Sequence, residues 1–135
     1  MTGHTSGDEE DVRRALADLD SAFARKDFDG VLELCADDVV FIGSGNGEEA
    51  VGRSAIGPMF ATLEAQIEEL EFSLQWDEVE VDVLGDLALL RACGRAKLAT
   101  QERDATFRYR LTGVLVRSNG RWLWRVYHGS EPGAW

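Results

Sequence analysis

The stretch Phe107–Pro132 reads FRYRLTGVLVRSNGRWLWRVYHGSEP, and its reading decides the fold. Apolar and polar residues alternate on both sides of Ser118-Asn119-Gly120. Asn-Gly between alternating runs predicts a tight β-hairpin, because both residues tolerate positive φ. The two arms carry Trp122, Trp124, both tyrosines of the chain and one of its two histidines, His128. Any pocket is therefore expected to have a wall here.

Upstream, the period stays at two as far as Glu71. Phe72, Leu74 and Trp76 share one parity, whereas Val79, Val81 and Val83 share the other, opposite Glu78, Glu80 and Asp82. A parity switch within one strand predicts a bulge near Asp77. Gly85-Asp86 reads as a turn. Leu87–Leu98 reads as a strand apolar at nearly every residue, hence covered on both faces, and Thr100–Asp104 reads as a polar turn.

Before Glu71 the period is helical. Met1–Gly7 reads as a mobile polar tail, and Ser6 and Glu9 have capping-box spacing. A helix then runs to about Arg25 with Val12, Leu16, Leu19 and Phe23 on one face. Asp27 is placed to cap a second helix, Phe28–Ala36, with Phe28, Val31, Leu32 and Cys35 as its inner stripe. Asp37-Asp38 ends that helix, and Val39–Ile42 reads as a buried strand. Gly43–Gly52 is a glycine-rich loop without GxGxxG order or a following Lys, which argues against a nucleotide cradle. Ser54 is placed to cap a third helix, amphipathic through Ile56, Phe60, Leu63, Ile67 and Leu70, with Pro58 tolerable only in its first turn.

The order is helix, helix, strand, helix, then four long antiparallel strands. It predicts an α+β fold, one domain over residues 8–135, with three N-terminal helices on the concave face of a cone-shaped, curved antiparallel sheet. The open end of such a cone is a natural pocket for a small, largely apolar molecule. Apolar residues on the outer sheet face predict a homodimer. The chain has 135 residues, 44% hydrophobic and 29% charged, with net charge -11 and a pI near 4.5. So acidic a surface disfavours nucleic acid and anionic membranes as partners. Without a signal-peptide pattern or a long apolar run, a cytoplasmic, bacterial protein is expected. Cys35 and Cys93 sit in apolar contexts and read as free, buried thiols; no metal-ligand spacing and no cofactor motif is seen.

Several stretches, taken with this order, resemble the nuclear-transport-factor-two-like superfamily. They are Asp27-Phe28-Asp29-Gly30 followed by Ala36-Asp37-Asp38, then Gly52-Arg53-Ser54-Ala55-Ile56. Arg110-x-Thr112, Asn119-Gly120-Arg121-Trp122 and Tyr127-His128-Gly129-Ser130-x-Pro132 are similar to its SnoaL-like branch, and also to the association domain of calcium/calmodulin-dependent kinases. The resemblance implies a cystatin-like roll and a cyclase or isomerase acting on a polyketide- or steroid-like ligand, or else a binding or assembly module. The ketosteroid isomerases of the superfamily use a carboxylate base, a tyrosine and an acid, at positions that hold Gly43, Leu19 and about Thr112 here. That mechanism is therefore not retained. Of the arginines that the kinase association domains place in their pocket, one matches Arg91, while two fall on Gly113 and Gly129.

Arg91 interrupts an apolar strand and is the candidate pocket cation for a weakly acidic ligand, or else a salt-bridge partner. His128 is the candidate general acid–base, or else a strand-end anchor. Tyr109 and Tyr127 offer hydroxyls; Phe41 offers an apolar wall, and Trp76 and Trp124 offer either apolar walls or core and dimer-interface packing. Tyr127 and His128 are adjacent on one strand, so they should point to opposite faces and not act together.

Overall fold

The computed structural model describes residues 4–44, 48–66, 71–100, 102 and 104–132. Helix α1 spans His4–Ala24, α2 Phe28–Glu33 and α3 Arg53–Gln66. The strands are β1 Cys35–Ile42, β2 Glu49–Val51, β3 Glu71–Leu84, β4 Leu87–Ala99, β5 Asp104–Ser118 and β6 Arg121–Ser130. They form one six-stranded sheet in the order β2-β1-β6-β5-β4-β3. This is the expected α+β roll, a curved, unclosed sheet with its helices at the N-terminal end.

The hairpin closes as its sequence requires. Asn119 and Gly120 have φ of 52° and 76°, so both occupy the left-handed region that an Asn-Gly turn demands. The predicted bulge is also present. Trp76 pairs with Gly94 and Glu78 with Cys93, which leaves Asp77 as the extra residue. A Cβ at Gly94 would run into the Gln75 carbonyl, so glycine is what lets the bent strands approach.

Other expectations are corrected. Helix α2 stops at Glu33, because Cys35–Asp38 join β1 instead; Trp124 N–H donates to Leu34 O at 2.9 Å and draws the segment onto β6. That β1–β6 pairing is parallel, and β2 was not foreseen. Helix α1 begins at His4, upstream of the Ser6 cap and inside the stretch expected as a tail. Pro58 sits beyond the first turn of α3. Ile56 and Phe60 are buried as expected, whereas the Leu63 side chain, Ile67 and Leu70 lie outside what is described. Both cysteines are free, but Cys93 is exposed.

Strand β4 is covered on one face only. Ala88, Leu90, Ala92 and Ala96 are buried, while Leu87, Leu89, Arg91, Cys93, Arg95 and Lys97 alternate outward. The core under the inward face joins Val12, Leu16 and Leu19 of α1, Val31 of α2 and Ile56 and Phe60 of α3 to Leu90, Leu111, Leu115 and Trp124.

Candidate functional site

Aromatic side chains meet where α1, α2 and α3 overhang β1 and β6. Phe41 and Tyr127 are register partners on the parallel pair, and their rings stack at 4.8 Å with only 6° between planes. Phe60 meets Phe41 edge-on at 5.3 Å, and Phe23 meets Phe60 at 5.8 Å. Helix periodicity delivers Phe23 and Phe60, and strand alternation delivers Phe41, Tyr127 and Tyr109 to the same side. Together they wall a cavity of about 300 Å³, whose polar lining includes Ser44, Glu48, Glu131 and Lys26.

The polar end is built around two phenols. The Tyr109 and Tyr127 side chains lie close enough for each to act on the other's ionisation, and Ser44 acts on Tyr109. Burial, first of all, raises the pKa of both phenols, and for Tyr127 the neighbouring Tyr109 raises it further. Both are therefore neutral near pH 7. Tyr109 reaches this place because Gly129 leaves room: a Cβ there would collide with its hydroxyl. Gly113 does the same for the Trp124 ring. The two positions that the kinase resemblance assigns to arginines are thus the ones over which aromatic groups lie here.

Asp20 is the group that periodicity overlooked. It lies on α1, and its Oδ2 accepts the Trp76 Nε1 hydrogen at 2.7 Å. Its Oδ1 is buried without a hydrogen-bond partner. Burial pushes the carboxyl up to about 7, against the Trp76 hydrogen bond that lowers it, and its charge also acts on Tyr127. The signal was present, since Asp20 is four residues after Leu16 and three before Phe23. It therefore flanks the buried stripe and not the solvent face.

The expected site residues divide between the two sheet faces. Tyr109, Tyr127 and Phe41 line the cavity. Trp76 is half-buried, 6.2 Å from the Tyr109 ring, and serves Asp20. Trp124 is fully buried in the core, with its Nε1 unbonded, and packs edge-on against Tyr127 at 5.7 Å. Of the two readings of Arg91 the salt bridge is the one present and the pocket cation is corrected: the side chain points outward from β4, mostly exposed, and pairs with Glu80 across the β3–β4 ladder. His128 is corrected as well, because it is exposed and strand alternation sends it away from Tyr127. Neither reaches the cavity. Among the described residues no group of histidine, cysteine and carboxylate side chains could hold a metal ion.

With this geometry in view, the comparisons are specific about family. The model of the SnoaL-like domain matches residues 12–134. The chain belongs to the SnoaL-like family. No functionally curated protein sequence matches it. A candidate dehydratase of the nuclear-transport-factor-two-like family from Streptomyces avermitilis is 23% identical, with a TM-score of 0.84 over 96% of this chain and 99% of that one. A Catenulispora acidiphila protein solved in complex with S-DNPA is 17% identical, with a TM-score of 0.80 over 93% and 94%. A candidate calcium/calmodulin-dependent kinase association domain from Xanthomonas campestris is 20% identical, with a TM-score of 0.77 over 92% and 87%. At these identities the likeness concerns the fold.

Proposed function

We propose that this SnoaL-like chain binds a small, largely apolar, ring-bearing molecule in the aromatic cavity. The observation that carries the reading is the cavity itself: about 300 Å³ walled by Phe23, Phe41, Phe60 and Tyr127, with a few polar groups gathered at one end. That is the composition of a small-molecule site at the low end of the usual size range. The test is thermal denaturation with one- and two-ring aromatic probes. A concentration-dependent rise in Tm is expected, and Leu98→Trp, which fills the cavity from its lining, abolishes it. No rise with any probe at millimolar concentration, or an equal rise in Leu98→Trp, sinks the reading.

Asp20 favours a second step. A carboxyl with a pKa of about 7 can take up or release a proton at neutral pH. Asp20 is not among the residues lining the cavity, but its charge acts on Tyr127, a neutral phenol that is. Isomerisation, cyclisation or dehydration of the bound molecule would draw on Asp20 through Tyr127. The outer face supports self-association. Leu84, Leu87 and Leu89 are exposed there, and the register sets Leu89 beside Val114 and Leu87 beside Val116. Two copies of the chain meeting through this patch form the expected homodimer. Leu89→Glu then yields monomer by sedimentation, whereas a wild-type chain that sediments as monomer refutes the pairing.

A further inference from the structure

We infer that the ligand of this cavity carries a protonated amine on its ring system and not a carboxylate. The inference rests on the pocket reading above and deepens it.

The first observation is the charge around the polar end. Two carboxylates, Glu48 and Glu131, line the cavity, against one ammonium, Lys26. Lys26 is engaged in an interaction of its own. Arg91, Arg95 and Lys97, which could have supplied more positive charge, point outward on β4. Glu48 is held in place rather than waving in solvent. It is half-buried, its backbone oxygen accepts the Gly43 N–H at 2.6 Å, and its side chain lies over Gly43 where a Cβ would strike it. Both carboxylates act electrostatically on Tyr109 and raise its pKa, after the larger effect of burial. The hydroxyl end of the cavity is thus a place where negative charge is already present and more is unwelcome.

The second observation is the aromatic wall. Phe41, Phe60 and Tyr127 line the same space, with Phe41 and Tyr127 stacked on each other and Phe60 edge-on to Phe41. The face of an aromatic ring attracts a cation within about 6 Å of its centroid, an attraction that grows when water is excluded. An ammonium group lodged between these rings and Glu48 satisfies both. A carboxylate in the same place meets Glu48 with the wrong sign.

The third observation is the field of the whole molecule. The net charge of -11 concentrates cations near the surface and repels anions before they reach the mouth. Pocket, wall and surface therefore select the same sign.

Three probes that share one ring system isolate the inference: naphthylmethylamine, naphthylmethanol and naphthoate, titrated by calorimetry against the full chain at low salt. The amine is expected to bind about tenfold more tightly than the alcohol, with naphthoate the weakest. Glu48→Gln keeps the shape and removes the charge. It should cut the amine's advantage severalfold and improve naphthoate binding, while the alcohol is unchanged. Equal affinity for all three probes, abolished in Leu98→Trp, overturns the amine assignment and leaves the pocket reading intact. Tighter binding of naphthoate overturns it as well. Absence of binding by every probe overturns the pocket reading together with this inference.

Discussion

Tyr127 and His128 are consecutive residues on one strand, and they belong to different worlds. Tyr127 is buried among Phe41, Phe23 and Trp124 and lines the cavity. His128 is exposed on the opposite sheet face, paired in register with Thr112. Leu90 and Arg91 repeat the contrast on β4, where Leu90 is fully buried and Arg91 bonds Glu80 in solvent. The inner face concentrates volume, desolvated polar groups and glycine-dependent close approach. The outer face holds charges that water already screens. The same residue type therefore carries different consequences on the two faces, and substitution experiments can test how complete that division is.

The largest effect is expected at Trp124, fully buried on the inner face. Trp124→Ala removes the ring that Gly113 admits and leaves a cavity, costing about 3–5 kcal/mol by urea denaturation. Thr112→Ala, one residue from Gly113 but outward, should cost no more than about 0.5 kcal/mol. Comparable losses at the two positions would break the comparison.

Asp20 sharpens it through pH. Its carboxyl rises from 3.8 to about 7 on folding because burial disfavours the charged form. The folded state therefore holds the proton more tightly than the unfolded chain. The sign follows: this contribution to stability is complete below the unfolded pKa, is lost as pH rises through about 7, and is level above that. Asp20→Asn cannot ionise and should flatten that loss. The wild type should fall relative to the variant by an amount on the order of 2–4 kcal/mol between pH 4 and pH 8, read by denaturation at each pH. A constant difference between the two proteins across that range would show that Asp20 does not titrate in the fold.

Gly129 tests the close approach that brings the Tyr109 hydroxyl to the polar end. Gly129→Ala places a methyl group where that hydroxyl sits. The expected cost is about 1–3 kcal/mol, together with weaker binding of ring probes. Tyr109→Phe in the same background removes the colliding oxygen and should restore part of the stability but not the polar contact.

The division of faces also explains what could be read before the structure. Alternation and Asn-Gly located β3 to β6 and the bulge at Asp77, because strand parity and turn chemistry are local properties. Alternation also separated Tyr127 from His128. It could not say which of the two met the helices, since that depends on how β1 docks beside β6. The parallel pairing is set by contacts between residues nearly ninety positions apart, such as Cys35 with Trp124. Arg91 misled because an apolar strand was taken as covered on both faces. Leu87 and Leu89 are in fact 37% and 41% exposed, so an arginine of the same parity needed no buried partner. Asp20 was missed for the converse reason, since helical periodicity singles out the apolar stripe of Val12, Leu16, Leu19 and Phe23 and passes over a polar residue at its edge.

The smallest effects are the most discriminating. Arg91 and His128 were the residues whose chemistry stood out in sequence, and both face outward. The Arg91–Glu80 pair is solvent-exposed, with side chains 72% and 64% accessible. Exposed pairs of this kind contribute about 0–1 kcal/mol, because the Coulomb gain in water is offset by the ordering of two long side chains. Arg91→Ala and His128→Ala should each change stability by no more than about 0.5 kcal/mol and leave the affinity for ring probes unchanged. In a homodimer formed through the outer face both residues lie near the contact, so the same substitutions would shift the sedimentation equilibrium without altering probe affinity per chain. A loss of probe binding in either variant would instead mean that the outer face takes part in the site, and the division of the sheet into a binding face and an associating face would fail at the residues where the sequence placed most weight.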